Sequence, residues 1–199
     1  MASPLFIAMH HVFKLFLSTE MAIMDSEEIE RADLYKLFAT LFSQEPSDEL
    51  INQFREMFQM SFTEPPQLIR MEFLNLFSSP HLSPHESLYN HPPHELPRLW
   101  GKATEEVEAF YNSVGLTIYE EISLIPDHIS AELFFMSYII ENRLIKEQKA
   151  FMEQHILPWI PDYCDELNKQ ATTVFFKEVA LLLKEFILSD YEENLKDYA

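Results

Sequence analysis

The sequence predicts an all-α chain, one helical domain of about eight to ten helices. Three observations carry that expectation. Apolar residues recur at helical spacing in one segment after another, with Ser, Thr, Asp or Pro at the boundaries. Only two glycines, Gly101 and Gly115, occur in 199 residues. The usual share is about 7%, and tight hairpins depend on glycine. No stretch alternates apolar and polar residues as a half-buried strand does.

Residues 1–24 read as an N-terminal extension or short helix. The apolar run MASPLFIAMHHVFKLFLSTE has no basic head, is interrupted by Lys14 and is followed by no A-x-A site, so it makes a poor export signal. It is also too short and broken to span a bilayer. A helical extension and a true start at Met21 or Met24 both fit. The main domain is expected over about residues 25–190. Ser26 caps a first helix over about 27–42, with Glu27, Glu28 and Glu30 where the helix dipole favours anions. Its inward residues are Ile29, Leu34, Leu37, Phe38, Leu41 and Phe42. Pro46-Ser47 opens a second helix over about 48–60, and Pro65-Pro66 a third over 66–77.

Residues 78–98, SSPHLSPHESLYNHPPHELPR, hold five of the twelve prolines and four of the eight histidines. Proline at that density excludes an α-helix and pushes preceding residues toward extended geometry. A loop of this length is a functional segment or a linker between subdomains. Thr104 is expected to open a helix to about Ser113, with Gly115 at the position beyond its end where a left-handed residue belongs.

A long helix is expected over about 127–153. From Ile129 to Ile140 only Ser130, Glu132, Ser137 and Tyr138 are polar, so this helix must be covered on most sides. Its mouth is the tripeptide Pro126-Asp127-His128, with Asp127 placed to cap the first turn. Pro158 and Pro161 break the chain between His155 and Pro161. Helices over about 159–169 and 172–188 follow, and the acidic tail 191–199 is expected to fray.

Composition excludes several function classes. Fourteen basic against 33 acidic residues give a net charge of −19, a poor match to nucleic acid or anionic lipid and a good one to a basic partner. Two glycines cannot build a phosphate loop or a dinucleotide fingerprint. Cys164 is the single cysteine, which excludes a disulfide framework within one chain and fits a reducing compartment. Its ordinary use is as a small apolar side chain.

The candidate sites divide as follows. His81 and His85, and His91 and His94, have zinc-like spacing, but that spacing gathers ligands only on a helix, so no metal site is expected. Asp127 and His128 could be a catalytic pair. Adjacent helical residues point about 100° apart, however, so Glu132, four residues on, is the better placed partner for His128. No nucleophile completes a reaction centre. Recognition at a cleft is the better use of this tripeptide, beside a purely structural cap. Seventeen Phe and nine Met serve a core, and equally suit a groove for an apolar peptide helix.

Five segments in order then carry a resemblance: Glu72-Phe73-Leu74-Asn75-Leu76-Phe77; Ser83-Pro84-His85-Glu86-Ser87-Leu88-Tyr89; Phe110-Tyr111-Asn112-Ser113-Val114-Gly115-Leu116; Pro126-Asp127-His128 with Glu132-Leu133-Phe134-Phe135-Met136; and Phe151-Met152-Glu153-Gln154-His155-Ile156-Leu157-Pro158-Trp159. Over about residues 27–190 the chain resembles the TorD/DmsD/NarJ family of chaperones for molybdenum-cofactor redox enzymes. The resemblance implies a cytoplasmic, non-enzymatic protein without a cofactor, its helical fold in two subregions joined by a hinge loop at about 78–98. It implies binding of an apo-molybdoenzyme subunit, through its twin-arginine signal peptide, until the cofactor is inserted. It places peptide binding on Pro126, Asp127 and His128, and on Glu86, Ser87 and Tyr89 of the preceding loop. Many members carry an aromatic residue where this chain has His85. Weak guanine-nucleotide binding, and a monomer or swapped dimer, also follow from the family. A basic peptide head suits a −19 chain, and Asp127 or Glu86 could pair an arginine bidentately. Two alternatives stay open: a helical scaffold for a different partner, and a His-based metalloprotein or hydrolase.

Overall fold

The computed structural model describes residues 26–77, 82–117 and 124–198. Expectations that fall on the N-terminal extension, His81 and the connector around Tyr119 lie outside these residues. Eight α-helices occur among the described residues: α1 Ser26–Ser43, α2 Asp48–Met57, α3 Pro66–Phe77, α4 Lys102–Ser113, α5 Ile129–Glu141, α6 Ile145–Phe151, α7 Ile160–Gln170 and α8 Val174–Asp190. A 3₁₀ turn, Glu86–Leu88, and two π-helical turns, Met152–Ile156 and Tyr191–Leu195, complete them. There is no strand among the described residues, only an isolated antiparallel bridge between His85 and His128.

Local chemistry accounts for several boundaries. Ser47 accepts the Leu50 N–H at 3.2 Å to start α2, and Thr173 accepts the Phe176 N–H at 3.3 Å to start α8. Gly115, just past α4, takes φ 82°, the left-handed conformation glycine adopts without a Cβ clash.

Helix α5 is the centre of the fold, with ten of its thirteen residues buried. Helix α1 lies along it and buries Tyr35, Leu37, Phe38, Ala39, Leu41 and Phe42. Helices α7 and α8 pair on each other. Aromatic edge contacts knit the layers: Phe38 meets Phe54 at 5.5 Å, Phe54 meets Phe175 at 5.9 Å, and Phe135 meets Phe151 at 4.6 Å between ring centroids. Each such ring, fully buried, contributes about 1.5–3 kcal/mol of burial and about 0.5–1.5 kcal/mol of ring pairing. The buried apolar residues form one cluster, from Ala32 on α1 to Leu195 in the last turn.

Four expectations are corrected. The helix expected over 127–153 starts at Ile129 and ends at Glu141. Arg143 turns left-handed at φ 55°, and the Ile139 carbonyl accepts from the Leu144 N–H at 2.9 Å and from the buried Gln148 side-chain amide at 3.1 Å. That side-chain bond satisfies a helix end without solvent. Asp127 does not cap the helix; His128 does, its Nδ1 accepting the Ser130 N–H at 3.1 Å. Helix α4 begins at Lys102, with Gly101 rather than Thr104 before its first turn. The acidic end does not fray as far as Tyr198. Leu195 is buried, and the Lys149 ammonium donates to the carbonyls of Lys196 and Tyr198 at 2.9 and 2.8 Å.

The proline-rich segment contains no α-helix in its described part, as the prolines require. Its two halves differ. Leu82, Pro84, Glu86 and Ser87 are buried, whereas residues 93–100 are all exposed, Leu96 and Trp100 among them.

Candidate functional site

The buried half of the proline-rich loop crosses the mouth of α5. Pro84 O accepts the Ile129 N–H, and Asp127 O accepts the Glu86 N–H, both at 2.9 Å. These two bonds form the bridge that pairs His85 with His128. Asp127 Oδ2 accepts the Ser87 N–H at 2.8 Å, so its carboxylate ties down the next residue of the loop. From the far side, the Tyr111 hydroxyl of α4 donates to Pro126 O at 2.9 Å. The proline fixes the chain direction, the aspartate holds the loop, and the histidine starts the helix.

All six residues expected at the site therefore come together. Asp127 meets Glu86 and Ser87 directly, its neighbours Pro126 and His128 flank that contact, and Tyr89 closes the loop by packing on Trp159 and Tyr163 at 5.5 and 5.6 Å. Their exposures differ sharply. Asp127 and Glu86 are 0% exposed and Ser87 is 2%. Neither carboxylate reaches solvent to pair an arginine. The half-buried rim consists of Leu124, Ile125, His128, His85, Tyr89 and Asn90.

The two rim histidines stack edge to face at 4.9 Å. Burial, and secondarily His85, pushes the His128 pKa down to about 3. Burial lowers His85 too, against the opposing pull of Asp127. Both rings are neutral at pH 7. A neutral His128 is required for the cap, because its Nδ1 accepts hydrogen bonds and the ring proton must sit on Nε2.

Behind the rim lies a cluster the sequence did not assemble. The Glu86 carboxylate faces His155 Nδ1 at 3.0 Å from Oε2 and accepts from the Asn90 amide at 2.6 Å. Glu132, also 0% exposed, accepts from Trp159 Nε1–H at 3.0 Å rather than meeting His128 as expected. Burial, then the neighbouring Glu86 charge, holds the Glu132 carboxyl protonated well above the ordinary range. Burial raises Glu86 as well, while its bond and charge interaction with His155 pull the other way. His155 and Trp159 read in sequence as part of a helix break. Their pairing with Glu86 and Glu132 spans 69 and 27 residues, so no local pattern announces it.

The arrangement suits holding a loop better than running a reaction. The Cys164 thiol is buried and pushed up by burial, so it is no nucleophile. Among the described residues no group of three or more His, Cys, Asp or Glu is placed to hold a metal ion. No helix among them is long and apolar enough to cross a membrane.

Comparison with known proteins bears on the whole of this region. The family described as nitrate reductase delta subunit matches residues 43–165. A perchlorate reductase assembly chaperone protein of Dechloromonas aromatica is 28% identical over 102 residues, 45% of this chain and 46% of that protein. The chaperone protein TorD of Colwellia psychrerythraea is 24% identical over 100 residues, 50% of this chain and 42% of the relative. The Escherichia coli chaperone protein YcdY is 25% identical over 109 residues, covering 53% and 58%. The chain thus spans about half the length of these curated relatives. The crystal structure of a proposed redox enzyme maturation protein from Archaeoglobus fulgidus superposes with TM-score 0.53 at 20% identity, covering 88% of this chain and 98% of that one. That likeness shows a shared fold.

Proposed function

The chain belongs to the nitrate reductase delta subunit family, within the TorD/DmsD/NarJ group of redox-enzyme maturation chaperones, and on that premise we propose that it is a chaperone for the precursor of a molybdenum-cofactor oxidoreductase. It binds the precursor's twin-arginine signal peptide in the cytoplasm, catalyses no reaction itself, and releases the subunit after cofactor insertion. The observation that carries this reading is that the family match spans both halves of the site, residues 84–89 and 126–128, which the fold brings into backbone contact.

In this reading the buried residues shape the site and the rim touches the peptide. Asp127 fixes Ser87, and Glu86 anchors the loop from within. Tyr89, His85 and His128, with Leu124 and Ile125, offer aromatic and apolar contact to the peptide's helical body. The basic head is drawn by the −19 charge of the whole chain rather than by a single ion pair at the mouth.

Calorimetric titration with a synthetic twin-arginine signal peptide tests the proposal. Saturable binding that falls with added salt is expected. Replacing Asp127 and His128 by Ala should weaken it at least about tenfold, the equivalent of roughly 1.4 kcal/mol. Unchanged affinity in a double variant with native helicity would remove these residues from the site, and no binding by the parent chain would reject the signal-peptide reading.

A further inference from the structure

The loop that forms the lip is anchored from inside by three other elements. Glu86, in the 3₁₀ turn, meets His155 of the first π-helical turn at 3.0 and 3.3 Å and Asn90 of its own loop at 2.6 Å. Its carboxyl also lies beside that of Glu132 of α5, close enough for the two to interact. Glu132 is held on Oε2 by Trp159 Nε1–H at 3.0 Å. The Trp159 ring in turn packs on Tyr89, so the loop is gripped at both ends of one short segment. Phe110 and Phe151 wall the His155 ring at 5.9 and 5.0 Å and keep water from it.

Two fully buried, neighbouring carboxyls cannot both be ionised without a severe electrostatic penalty, so the pair holds a proton. Glu132 Oε1 is buried with no hydrogen-bond partner, which leaves it as the oxygen to hold that proton. The other titratable groups facing the pair are Asp127 before α5, Tyr111 of α4 and His155. Asp127 adds negative charge, which strengthens the case for protonation. Neither Glu132 nor Trp159 reaches the surface.

We propose that Glu132, His155 and Trp159 are positioning residues, and that the proton shared by Glu132 and Glu86 fastens the 84–90 loop in its peptide-receiving shape, so that peptide binding is linked to proton uptake. This rests on the peptide-binding reading above. Loss of the proton sets two negative charges side by side in the core and drives Glu86, with its loop, outward. Helix α5 keeps its apolar packing and stays in place.

The test uses the full chain, free and titrated with the synthetic twin-arginine peptide, between pH 6 and 9. Amide-exchange protection of residues 84–90, corrected for intrinsic exchange, should fall by up to about tenfold per pH unit once the shared proton leaves. Glu132→Gln keeps an acceptor for Trp159 and a permanent donor for Glu86, so its loop protection and peptide affinity should both be flat with pH. Glu132→Ala should lose loop protection at every pH while α8 stays protected. Identical pH profiles for the parent chain and Glu132→Gln would overturn the clamp, as would a Glu132→Ala loss spread evenly over α8. If the exchange profiles separate as described but the peptide binds at no pH, the clamp stands and the peptide-binding reading falls.

Discussion

His128 shows how one side chain is committed by its surroundings. It caps α5 through Nδ1, which requires the neutral ring, and burial holds its pKa near 3. In the unfolded chain the pKa returns to about 6.5. Below pH 6.5 the unfolded state therefore binds the extra proton, and stability is lost as pH falls toward the folded value. His85 shifts in the same direction. Urea unfolding should show a loss of about 1–2 kcal/mol from His128 between pH 7 and 5. Asparagine is a good cap that does not titrate, so His128→Asn should be close to the parent at pH 7 and visibly more stable than it at pH 5. An equal acid loss in both would show that His128 is not the titrating group. The residue type was legible in sequence as part of a cap, but the assignment went to Asp127. What decided between them was the bridge to Pro84 and Glu86, which turns the Asp127 carboxylate toward the Ser87 N–H.

At the scale of elements, α3 and α8 are joined by a carboxylate no pattern marks. Glu72 lies on the inner face of α3 and accepts from the N–H groups of both Thr172 and Thr173, at the threshold of α8. Burial opposes its ionisation, but these bonds from Thr172 and Thr173 outweigh it and keep the pKa below the usual value. The carboxylate also complements the positive end of α8. Glu72→Ala leaves those donors unpaired and should cost about 1–3 kcal/mol in urea unfolding at pH 7. A cost within about 0.5 kcal/mol, the range of an ordinary surface change, would show that the contact is replaceable. Helical spacing located α3 and α8 well, since each has an apolar stripe. It missed the break at Asn142–Leu144, because the apolar period runs on through it and the left-handed residue that makes the turn is Arg143 rather than a glycine.

At the scale of the whole molecule, the first described helix is tied to the last turn. Arg31 on α1 donates through Nη2 to Asp190 Oδ2 at 3.2 Å, Tyr35 donates to the same oxygen at 2.8 Å, and Asn194 donates to Oδ1 at 3.0 Å. Asp190 is 3% exposed, so Asp190→Ala strands a guanidinium and a phenol in the interior. The expected loss is about 3–5 kcal/mol, or roughly 6–20 °C in Tm for a chain of this size. Thermal unfolding within about 2 °C of the parent would show that the ends are not coupled. With buried Leu195 and the Lys149 bonds to the Lys196 and Tyr198 carbonyls, this latch holds the acidic end against the body where composition alone suggested a frayed tail.

The sequence by itself determined the class of fold, the apolar faces of most helices, the exclusion of an α-helix from the proline-rich loop, and a family resemblance carried by five short segments. These rest on periodicity, proline geometry and local order, which are properties of neighbouring residues. Only the tertiary structure decided that Glu86, Glu132, His155 and Trp159 share one buried site, and that Asp127 and Glu86 hold the lip from behind instead of lying upon it. The reason is physical: a buried carboxyl takes its protonation and its role from whatever the fold places within a few ångströms, and here those partners lie as many as 69 residues away in the chain.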